Sequence, residues 1–190
     1  AKAGLQIAAA ACPLVEGNLF RDGQAAGVLV SEGGCGVLRG NEFRGHAKTE
    51  LQVTGAGSWP FIEKNLVHDS KAGGILFMGG ASGLLRGNTV HSNAAANVRL
   101  AEATTARLEK NIIRDGHDCG IALCSGCESV LQGNTIQVHR KAGCLIYGTK
   151  TNPTLIANLI ETSEQAGVYM YAACKATIED NEVPRRSQSI

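Results

Sequence analysis

An all-β fold, a right-handed parallel β-helix solenoid, is predicted by three observations. Asparagine returns at an interval of 23 or 24 residues, at Asn18, Asn41, Asn65, Asn88, Asn111, Asn134, Asn158 and Asn181. The apolar residues between these asparagines alternate with strand periodicity, and no stretch reads as a helix of useful length. Glycine, asparagine and serine punctuate the runs where bends are needed. A unit this short cannot bury an apolar face alone, so consecutive units must stack.

Each element follows from its place relative to the asparagine. Three places before it stand Val15, Leu38, Ile62, Leu85, Leu108, Leu131, Leu155 and Ile178, and two places after it Phe20, Phe43, Val67, Val90, Ile113, Ile136, Ile160 and Val183. Ten and twelve places after it come pairs such as Val28/Val30, Ile75/Phe77 and Ile121/Leu123, spaced as residues on one face of a strand. Each coil of about 23 residues thus holds three short strands. The coiled domain covers residues 1–183 in about seven to eight coils, with 184–190 as a tail. Strand spacing makes the rod about 35 Å long, and crossovers of this type wind right-handed.

The asparagines are assigned a structural role. Each is expected to take the left-handed conformation at a corner and to donate its side-chain amide to the next asparagine. Nine places after each asparagine stands Gly27, Glu50, Gly74, Asn97, Gly120, Gly143 or Gly167, marking a second corner of close backbone approach.

Bulk properties narrow the function. A formal net charge of +1 argues against a nucleic-acid footprint. Aromatic content of 4% leaves few platforms for stacking sugars or bases. No run approaches the roughly 20 apolar residues of a membrane helix. The seven cysteines follow the repeat, with Cys12 and Cys35 one coil apart, and read as reduced residues of a cytoplasmic or nuclear protein. His117, Cys119, Cys124 and Cys127 are the one alternative with metal-ligand spacing. No metal or cofactor is expected.

Recognition must therefore lie in outward columns. Two places before the asparagine, Glu16, Arg39, Glu63, Arg86 and Glu109 alternate in sign and predict an ion-pair ladder. Three places after it, Arg21, Arg44, His68, His91 and Arg114 form a basic line, partly neutralised by Asp22, Asp69 and Asp115. Eleven places after it come Leu29, Gln52, Leu76, Arg99, Ala122, Leu145 and Tyr169, whose leucines should be exposed as an apolar stripe. The richest acid/base stretch is Asp115, His117 and Asp118, the catalytic set if the chain is an enzyme.

The segments Asn65–Ile75, Gly80–Asn88 and Asn152–Asn158 resemble the β-helix repeats of F-box-only proteins. That resemblance implies a substrate-recruiting module of a ubiquitin-ligase adaptor. The expectation is thus a non-enzymatic scaffold that binds a protein or peptide segment through Arg21, Arg44, His68, His91, Arg114, Leu29, Leu76, Arg99, Leu145 and Tyr169. The alternatives are a carbohydrate-active β-helix enzyme (lyase, hydrolase or uronate epimerase) and a structural subunit of a larger assembly. No F-box segment is found, and the two ends are expected to be covered by other domains or subunits.

Overall fold

The computed structural model describes residues 2–161 and 163–184; residues 185–190 of the predicted tail lie outside the described residues. Its strands build three parallel sheets, and each coil contributes one strand to each sheet in turn. The first sheet has eight strands, running from Leu5–Ile7 to Ala166–Tyr171. The second has eight, from Leu14–Glu16 to Thr177–Glu179, and the third seven, from Leu19–Arg21 to Leu159–Ile160. Equivalent residues of successive coils pair in register, as in Leu51↔Ile75 and Ile75↔Val98.

Register of this kind makes every predicted inward column continuous. One hydrophobic core runs along the axis and holds Leu38, Ile62, Leu85, Leu108 and Leu131 from the second sheet. Phe43, Val67, Val90, Ile113 and Ile136 join it from the third, and Val28, Leu51, Phe77, Leu100 and Leu123 from the first. Three members of these columns behave differently: Met170 (twelve places after Asn158), Ile178 and Val183 are exposed. They belong to the last described coil, so no further described coil packs over them.

The asparagines form an unbroken ladder. The Nδ2 of Asn88 donates to Oδ1 of Asn111 at 2.9 Å and to the Ile62 carbonyl at 2.9 Å, and the same Asn111 oxygen accepts from the Asn88 backbone N–H. This pattern repeats from Asn41 to Asn158, so each amide satisfies three otherwise orphaned groups inside the rod. One expectation needs correction. The left-handed residue at this corner is the one before the asparagine: Gly17, Gly40, Lys64, Gly87, Lys110, Gly133, Ala157 and Asp180 all have φ between 51° and 66°. That turn aims the next side chain inward, which is why asparagine is free to spend its amide on the neighbouring coils.

The second corner is tighter still. A β-carbon on Gly74 would stand 2.5 Å from the Asn97 carbonyl oxygen, and one on Gly120 would stand 2.6 Å from that of Gly143. Where this column is not glycine, its side chain reaches the residue five places after the asparagine in the same coil. Asn93 Nδ2 donates to Asn97 Oδ1 at 2.8 Å, and the buried His46 and Glu50 side chains pair closely. Burial pushes the Glu50 carboxyl above its ordinary value, an effect that bonding to His46 opposes. Further along, His139 accepts the Gly116 N–H at Nδ1 and donates from Nε2 to the Ile113 carbonyl at 3.2 Å.

The reading of all cysteines as reduced is also corrected. Cys12 and Cys35 are joined by a disulfide, with Cα atoms 4.6 Å apart. Stacking in register brings equivalent residues of adjacent coils to a bridging separation. Cys119, Cys124, Cys127, Cys144 and Cys174 are free.

Candidate functional site

A groove of about 300 Å³ follows the outer face of the first sheet. Its floor is the column eleven places after the asparagine, namely Leu76, Arg99, Ala122 and Leu145. One wall is the turn entering the sheet, where Thr49, Gly73, Ala96 and Cys119 come eight places after the asparagine. Small side chains in that turn keep the groove open across consecutive coils. The same register brings Tyr147, thirteen places after its asparagine, to the opposite edge.

The expected exposed leucine stripe is thereby corrected. Leu29, Leu76 and Leu145 are half-buried, and Ala122 is only 5% exposed. Ala96, Cys119 and Ala122, with Leu145 against them, form a small apolar cluster outside the main core. The turn wall stands beside the strand and shields its outward side chains. Arg99 and Tyr169 are the members of the predicted binding column that stay exposed.

The polar groups of the groove are few. Arg99 Nη2 lies 4.0 Å from the Cys124 sulfur. The Tyr147 phenol is pushed up to about 12, first by its hydrogen bond with Cys124 and then by burial, so it keeps its proton. On the turn wall, Asp118 Oδ1 meets the Lys141 ammonium at 2.6 Å, which holds that lysine above its ordinary value. Burial pushes the Cys119 thiol up to about 11, with the Asp118 charge adding to it, so it is no nucleophile at neutral pH.

Of the catalytic set expected from sequence, only Asp118 faces this groove. Asp115 and His117 line a second hollow of about 220 Å³ with Val138, His139, Arg140 and Glu164. Asp115 is a left-handed turn residue at φ 51°, paired to Arg114. The chain from Asp115 to Cys119 therefore forms a ridge between two hollows, and the three side chains do not converge. Nor do His117, Cys119, Cys124 and Cys127: among the described residues no three potential ligands gather as a metal site.

The basic column stacks as expected on the third sheet, with Arg21↔Arg44, Arg44↔His68, His68↔His91 and His91↔Arg114 in register. The His68 and His91 rings are parallel, with centroids 5.0 Å apart. Carboxylates cancel much of its charge: Glu42 forms an ion pair with Arg44 at 3.1 Å, and Asp69 pairs with His68 at 2.7 Å. Burial, followed by the charges of Arg114 and His68, lowers the His91 pKa below its ordinary value. On the second sheet the alternating column does form ion pairs, Arg39 with Glu16 and Glu63, and Arg86 with Glu109 at 2.7 Å.

Sequence reasoning missed Tyr147, Lys141 and the small-residue wall. The signal was present in the column Ala26, Thr49, Gly73, Ala96, Cys119, Ala142 and Ala166, eight places after the asparagine, which never carries a large side chain. It went unread because a small residue beside a glycine corner looks like part of that corner.

Comparison with known proteins points one way. The model of the right-handed beta helix region matches residues 3–160. Among solved structures, the periplasmic alginate epimerase AlgG superposes with a TM-score of 0.82 at 13% identity, over 90% of this chain and 45% of that one. A point mutant of AlgG reaches 0.87 at 12% identity, over 95% and 47%. The A-module of the Azotobacter vinelandii mannuronan C-5 epimerase AlgE4 gives 0.63 at 15% identity, over 87% and 62%. The chain thus spans less than half the length of the AlgG structures. No curated protein matches it in sequence. The likeness to F-box-only proteins finds no support here. The expectation of a non-enzymatic chain is overturned by the same comparison, since the structures of like fold are those of carbohydrate-active enzymes.

Proposed function

This chain belongs to the right-handed β-helix family, and from that premise we propose that it is a carbohydrate-active enzyme of the uronate epimerase type. The observation that carries the reading is the groove. It runs along the coils on one sheet face, the shape an extended polymer needs, and it presents the charged Arg99 and Asp118 and the Tyr147 phenol. The epimerases of like fold, named for alginate and mannuronan, support an acidic polysaccharide as substrate.

The chemistry follows from those three groups. The guanidinium of Arg99 is always charged and neutralises the carboxylate of a bound uronate, which acidifies the hydrogen on the adjacent carbon. Asp118 takes that proton as base, and the electron pair delocalises into the carboxylate held by Arg99. Tyr147, across the groove and kept protonated, returns a proton to the opposite face of the carbon. The centre is inverted, and solvent restores the two side chains to their starting states. Lys141 positions Asp118 by its ion pair.

The Cys12–Cys35 disulfide supports an oxidising compartment rather than the cytoplasm or nucleus. The test is incubation with polymannuronate in deuterated water, followed by NMR of the polymer. Deuterium should enter at the carbon beside the carboxylate together with the epimer, and Arg99→Ala should slow both by more than about tenfold. A wild-type protein that leaves every polyuronate unexchanged ends the proposal.

A further inference from the structure

The three tyrosines of the chain, Tyr147, Tyr169 and Tyr171, all fall on the outer face of the first sheet, in its last two coils. Tyr147 and Tyr171 pair in register with parallel rings, centroids 5.2 Å apart and planes 7° apart. Tyr169 leans against Tyr171 at 5.6 Å. Tyr169 continues the floor column of the groove, Leu76–Arg99–Ala122–Leu145, and Tyr171 continues the edge that Tyr147 begins. A groove lined by small and aliphatic side chains thus opens onto a joined aromatic surface, where Tyr169 is 43% and Tyr171 45% exposed.

From this we infer that Tyr169 and Tyr171 form an accessory subsite that binds sugar units beyond the one held at Arg99. The inference rests on the groove being a polysaccharide site. The occupant is a pyranose ring. Its C–H face is apolar and its rim carries hydroxyls, so it matches a tyrosine, whose ring is apolar and whose edge is polar. The groove is continuous with the cluster, and one polymer chain lying along the coils meets both. Arg99 reads the charge, and the tyrosines read only the presence of further rings. The subsite therefore sets preference for chain length and leaves the chemistry at the groove unchanged.

The experiment is calorimetric titration with short and long mannuronate oligomers. Wild-type protein should bind the long oligomer at least about tenfold more tightly than the short one. Tyr169→Ala and Tyr171→Ala should erase most of that gain while short-oligomer binding stays as in wild type. Tyr169→Phe, which keeps the ring, should retain the gain. If both alanine variants bind the long oligomer as wild type does while Arg99→Ala weakens both ligands, the subsite is refuted and the groove stands. If wild-type protein binds neither oligomer, the groove assignment fails and the subsite fails with it.

Discussion

Asn111 shows how one side chain can tie neighbouring coils together from inside the rod. Its oxygen accepts from the backbone and the side chain of Asn88, and its amide donates to Leu85 and Asn134. Leucine fits the space but can make none of these bonds. Asn111→Leu should lower stability by roughly 1–3 kcal/mol for each group it strands, read as a fall in the urea midpoint. His139 offers a second residue-scale test. Burial lowers its pKa to about 4 from an ordinary 6.5, and its Nδ1 already accepts the Gly116 N–H, leaving no room for a proton. Its folded pKa lies below its unfolded one, so the unfolded chain binds more protons between those values. Stability from this group is complete above about pH 6.5 and declines as pH falls toward about 4, by roughly 3 kcal/mol in all. His139→Gln should show a shallower acid loss in parallel urea titrations.

At the scale of the coil, the turns decide more than the strands. The strands are short and nearly interchangeable, as their register pairing shows. Their inward residues were legible because alternation with a stacked repeat leaves few other ways to bury them. The turn entering the first sheet was not legible in the same way. Its small column reads as a corner, and only its height beside the strand turns it into a wall of the groove. The basic column had the opposite fate. Its line of five residues and the partial neutralisation by Asp69 and Asp115 were plain in sequence, yet Glu42 also pairs with Arg44 and with His68 of the next coil, and that contribution depends on side-chain reach. The disulfide between the first coils belongs to this scale as well. Thiol titration of the denatured, unreduced protein should find five free thiols among the seven cysteines. Finding seven would remove the cross-link.

For the whole molecule, period and polarity were determined by sequence alone. The asparagine interval, the inward apolar columns and the absence of helical patterning specify a parallel β-helix, because a repeat too short to bury itself has to stack. Which outer face carries the groove was decided only in three dimensions. Asp115, His117 and Asp118 are neighbours in the chain, yet a turn divides them between two hollows. Arg99, Asp118 and Tyr147 lie far apart in the chain, yet stacking coils gather them along one groove. Local spacing controls what a strand buries. What shares a surface depends on which coils lie over one another and on how high the turns rise between them.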